Sequence, residues 1–92
     1  VKIDTVHDFR RAIRNGAYAW PGGYPLYFMT NDGSALSFDA AKRNRRYILQ
    51  AIAHRNDRTW RVIGVDVNWE DDNLYCDETG ARIPSAYGAD NG

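Results

Sequence analysis

Six carboxylates fall between Asp66 and Glu78 with no lysine or arginine among them: Asp66, Glu70, Asp71, Asp72, Asp77 and Glu78. Side chains of this type can do three things. They can ligate a hard cation such as Ca²⁺ or Mg²⁺, which takes several oxygen ligands. The run, however, lacks the glycine and the terminal glutamate that an EF-hand loop places at fixed positions. They can present a row of negative charge to an arginine-rich groove on a partner, as a nucleic-acid backbone would. Asp71 and Asp72 can also serve as general acid and base, provided that a cleft encloses them. Docking is the preferred reading, through Asp66, Trp69, Glu70, Asp71 and Asp72, with no metal and no cofactor expected.

Other reactive side chains give weaker signals. His7 and His54 are far apart, and neither has a Cys, Ser or Asp partner at the spacing of a nucleophilic triad. The single cysteine, Cys76, can be a nucleophile, but a half-buried small hydrophobe is the commoner state. No P-loop, dinucleotide fingerprint or HExxH occurs. Catalysis is not expected.

Net charge is zero, but its distribution is lopsided. Residues 1–63 hold eleven Lys and Arg against five Asp and Glu, whereas residues 64–92 hold one Arg against seven acids. The balances are therefore +6 and −6. Two accounts fit: oriented docking onto a charged partner, or mutual neutralisation of the two halves across the fold. Arg10, Arg11 and Arg14 fall on one predicted helix, and Lys42, Arg43, Arg45 and Arg46 near the start of another. The dipole at a helix start disfavours four cations, so local helix energetics do not explain the second group. These seven residues are either a solvated basic face or an alternative nucleic-acid site.

The elements that must position these groups are legible. Thr5-Val6-His7-Asp8 has the form of a capping box, with Val6, Phe9, Ala12 and Ile13 at helical spacing and Asn15-Gly16 as an αL stop. Tyr18 to Gly33 reads YAWPGGYPLYFMTNDG, an aromatic loop stiffened by Pro21 and Pro25 that runs into a strand and a hairpin signal. Its rings either cap one end of a small core or, at Trp20 and Tyr24, stand partly exposed as a partner-binding anchor. Ser34 to Phe38 alternates as a second strand. A longer helix is predicted from Ser37 or Phe38 to about Arg55, then a core strand over TWRVIGVDV, residues 59–67. Leu74-Tyr75-Cys76 is a possible last strand. The expected fold class is α+β: a small antiparallel sheet of three to four strands packed by two helices, in the order α-β-β-α-β(-β).

Ninety-two residues suit a single domain, with a tail expected to fray after about residue 87. No apolar run approaches the ~20 residues of a membrane span, so no membrane partner is expected. With one cysteine and no leader anticipated, a reducing compartment such as the cytoplasm is the expected location.

FRRAIRNGAYAWPGGYPLYF, NWEDDNLYC and GARIPSAYG together resemble a group of small, mostly uncharacterised proteins of bacteriophages and prophages. The resemblance runs from about His7 to Tyr87. Relatives often carry C-x-x-C-G near Thr79, whereas this chain reads Cys76-Asp77-Glu78-Thr79-Gly80, from which no zinc knuckle can be completed. The resemblance implies a phage accessory product acting on a host machine. Anti-CRISPR proteins are similar in size and in lacking catalytic apparatus, and they commonly occupy surfaces by which a surveillance complex grips DNA or recruits its nuclease. By that analogy the partner is a host protein or ribonucleoprotein complex, nucleic acid being the alternative. No small-molecule substrate is expected.

Overall fold

A nearly continuous run of apolar and aromatic residues, Tyr24–Thr30 (β2), is the centre of an antiparallel sheet. Val62–Val67 (β4) runs along one edge of it, from Leu26 opposite Val67 to Thr30 opposite Val62, with an irregularity between Met29 and Thr30. Two short strands, Tyr18–Ala19 (β1) and Ala35–Leu36 (β3), share the other edge, pairing with Tyr24–Pro25 and Phe28–Met29 respectively. Pro25 lies just past the β2–β4 ladder, so its missing N–H removes no ladder bond. Residues 1–3 extend the sheet beyond β4, with Ile3 N–H to the Ile63 carbonyl and Val65 N–H to the Val1 carbonyl, each at 2.9 Å. The structure, a computed structural model, describes residues 1–19, 22–55, 60–71 and 73–86. Trp20, Pro21, Thr59, Asp72 and the predicted tail after residue 87 lie outside them.

The first helix, Val6–Asn15 (α1), begins as its sequence dictates. Asp8 N–H donates to Thr5 Oγ1 at 3.1 Å, and Thr5 N–H donates back to Asp8 Oδ2 at 3.2 Å. The amides of Asp4 and Thr5 hold the Asp8 carboxyl below its ordinary value. Gly16 ends the helix at φ +95° and ψ 175°, which corrects the expected αL stop. The glycine is still required, because the positive φ excludes most side chains.

The predicted long helix is two. Phe38–Arg43 (α2) and Arg45–His54 (α3) meet at Asn44. Its side-chain Nδ2 donates to the Ala40 carbonyl at 2.9 Å, where its own backbone N–H also bonds at 3.1 Å, while its carbonyl accepts from Tyr47 and Ile48. An Asn side chain that competes for backbone partners favours such a break. Leu74–Cys76 also differs from expectation. It forms no strand of the sheet, only a bridge between Tyr75 and Arg82 that closes a turn at Gly80. The α+β class and the order of the main elements agree with the sequence reading, with β1 added and the last strand reduced.

Phe28 is wholly buried at the middle of the core, its ring 5.2 Å from that of Phe9 and 4.4 Å from that of Phe38. Ile48 and Ile52 of α3, with Val62, Cys76 and Ile83, complete this core. Cys76 is a sealed residue held by polar bonds, with Sγ accepting from Ser37 N–H at 3.3 Å. Burial pushes its thiol up, but bonds from Ser37 and Thr79 outweigh that and hold its pKa at about 7 instead of 9.0. A depressed folded pKa stabilises the fold above the unfolded value and loses that contribution as pH falls through the folded one. The thermal midpoint is therefore expected to rise from pH 7 to pH 9 relative to that of a Cys76→Ala variant, a window set by the two values. A constant difference across the window would mean that the thiol stays neutral.

Candidate docking surfaces

The aromatic loop and the acidic loop meet at one end of the sheet. β2 starts at Tyr24 and β4 ends at Val67, and their pairing brings the segments beyond together. The rings of Tyr24 and Trp69 lie 4.8 Å apart at 52°. Trp69 remains 45% exposed, so the pair is a surface feature and not a core cap. Gly22 lies against this pair: at φ +110°, a Cβ there would stand 2.6 Å from the Tyr24 ring. Any larger residue must displace that ring.

Carboxylates flank Trp69 in sequence and lie exposed at Asp66, Glu70 and Asp71. Asp66 faces Tyr27 across the strands. Burial, then the charges of Asp66 and Asp71, push the Tyr27 hydroxyl up, which places both carboxylates in the field of one phenol. Asp77 and Glu78 belong to a different turn, tied to β3 by Asp77 N–H to the Ala35 carbonyl at 2.8 Å. Asp72 and Trp20 lie outside the described residues.

The sequence reading passed over the residue that organises this loop. Asn68 is 97% buried, with only 3% of its surface exposed. Its Nδ2 reaches the carbonyls of Asp71, Ile83 and Pro84 at 3.0, 3.3 and 3.1 Å, and its Oδ1 accepts from Asp71 N–H at 3.2 Å. Its backbone bonds Pro25 and Ala86. One amide side chain thus fastens the acidic loop to residues 83–84. An asparagine between a strand and an acidic run carries no local signal of burial.

The basic residues divide into groups. Lys42, Arg43, Arg45 and Arg46, all exposed, border one shallow dish of about 600 Å³ with Tyr47. Arg11 lies elsewhere: its Nη2 is 2.9 Å from His7 Nε2, and it lines a groove of about 570 Å³ with Asp8 and Asp66. Arg10 and Arg14 are exposed on α1. The seven cations therefore do not form one face around a single pocket. None of them is within 4.0 Å of a carboxylate among the described residues, where the ion pair formed is Lys2–Asp4 at 3.6 Å. Among the described residues these positions thus form no ion pair, although the charge of Arg11 bears on Asp8. Among the described residues, no three His, Cys, Asp or Glu side chains are grouped to hold a metal ion, and no helix is long and apolar enough to cross a membrane.

Comparison with family models, curated proteins and solved structures yields no match to this chain.

Proposed function

We propose that this protein is a phage-encoded, non-catalytic binding protein that obstructs a host nucleoprotein defence complex, in the manner of an anti-CRISPR protein. Its docking surface is the acidic end of the sheet. The observation that carries this reading is the contact of Tyr24 with the half-exposed Trp69, which Asp66, Glu70 and Asp71 flank in sequence. Aromatic side chains are favoured at the desolvated centre of an interface, and charges at its rim steer encounter and set register. Carboxylates displayed on a firm loop offer a basic groove what a phosphate backbone offers it. Asn68 supplies the firmness.

The test is affinity capture from bacterial host lysate with the tagged protein and with a Glu70→Lys/Asp71→Lys variant. The wild type is expected to retain a complex containing a nucleic-acid-binding subunit, and the variant to lose it at least tenfold at an unchanged thermal midpoint. Equal retention by the variant contradicts the proposal, as does a captured species without such a subunit.

A further inference from the structure

The α2–α3 break carries a second surface, independent of the acidic end. We propose that the dish bordered by Lys42, Arg43, Arg45, Arg46 and Tyr47 binds single-stranded nucleic acid, its cations taking phosphates and Tyr47 stacking on a base.

Three observations combine. First, half of the cluster sits where its helix disfavours it: Lys42 and Arg43 suit the last turn of α2, but Arg45 and Arg46 do not suit their place. Arg45 and Arg46 open α3, where the dipole is positive, and no acid lies in its first turn. Asn44 gives that helix start no side-chain cap, since its amide is bonded back to Ala40. Second, nothing within the described fold compensates the charge. The bond found for these four side chains is Arg43 Nε to the Asp39 carbonyl at 3.5 Å, and no carboxylate is within ion-pair reach. An external anion fills this role. Third, Tyr47 is 52% exposed at the rim, and its ring is stacked on Trp60 with centroids 5.8 Å apart and planes at 26°. A second ring behind it holds Tyr47 flat, as a stacking platform requires.

Single strands fit better than duplex. An unstacked base can lie on Tyr47, whereas a paired one is already stacked on its neighbours. A lipid surface is a poorer match, because the rim offers one aromatic ring and no aliphatic side chain. The five residues fall within six consecutive positions of the chain, so the dish takes a few phosphates and not a long tract.

Fluorescence anisotropy with the full chain and labelled dT12, rU12 and a 12-base-pair duplex tests the proposal. With four cations engaged, the logarithm of the binding constant is expected to fall against the logarithm of salt with a slope of about −3 for a single strand. Arg45→Ala/Arg46→Ala should bring that slope to about −1.5. Tyr47→Ala should weaken binding roughly ten- to a hundredfold at unchanged slope, the fold-change expected from losing one stacked base. Preference between dT12 and rU12 assigns DNA or RNA. No single-strand binding at low salt overturns the proposal. So does binding that these variants leave intact, equal affinity for duplex, or displacement by poly-glutamate of matched charge. Because Glu70 and Asp71 take no part, loss of host-complex capture in the Glu70→Lys/Asp71→Lys variant leaves this result unaffected.

Discussion

Phe28→Ala is expected to destabilise the protein by about 3–5 kcal/mol, the usual cost of removing a buried ring and leaving its cavity. Phe28 sits on the central strand, is wholly buried, and contacts the rings of Phe9 on α1 and Phe38 on α2. It also faces Leu36 and Val65 across the strands on either side. Its loss therefore loosens α1, α2 and both neighbouring strands together. Domains of this size have about 5–15 kcal/mol of stability, so much of it goes with one side chain. Urea unfolding followed by far-ultraviolet circular dichroism measures the effect. Tyr18→Ala, at a residue 48% exposed on the short edge strand, provides the contrast and should cost far less. A loss below about 1 kcal/mol at Phe28 would show that the three-ring contact is not the centre of the core.

Asn68→Ala is expected to act on both stability and docking. The substitution leaves the buried carbonyl of Ile83, the part-buried carbonyl of Pro84, and the carbonyl and amide of Asp71 without the partner that joins them. Leaving one buried polar group unsatisfied costs about 1–3 kcal/mol, and water reaching the rim recovers part of the total. Asn68→Asp is the sharper variant. It keeps an acceptor for the Asp71 amide but turns the donor toward three carbonyls into an oxygen. It should destabilise at least as much as alanine, although it differs from asparagine by one atom and one charge. Both variants are expected to lose the host complex in capture while keeping the α1–β2–α3 core folded. Near-normal stability of Asn68→Asp would mean that the amide does not hold the loop.

Features set by neighbours in sequence were the legible ones. The Thr5–Asp8 capping box needs only residues three apart, and the runs of strand-forming residues in β2 and β4 need only local composition and the turn signals beside them. The break at Asn44 was not legible. Ala41, Ile48 and Ile52 share one helical stripe across the polar run 42–46, and which carbonyl an asparagine side chain takes depends on the turn already formed. The docking end was half legible. Composition marked the acidic residues and the aromatic loop separately, yet Tyr24 and Trp69 are brought together by strand pairing and not by spacing. The same pairing buries Asn68, whose role no local pattern could announce. Charge counting was least reliable for Arg11, which composition grouped with the basic residues but which shares a groove with Asp8 and Asp66.

The account rests on the end of the sheet where Trp69, Glu70 and Asp71 stand exposed being the surface a partner covers. Carbodiimide-driven labelling of carboxyl groups, read by mass spectrometry on the free protein and on the captured host complex, addresses this most directly. Glu70 and Asp71 are expected to label readily in the free protein and to be shielded in the complex, while Asp39, Asp77 and Glu78 label equally in both. Undiminished labelling of Glu70 and Asp71 in the complex would contradict it.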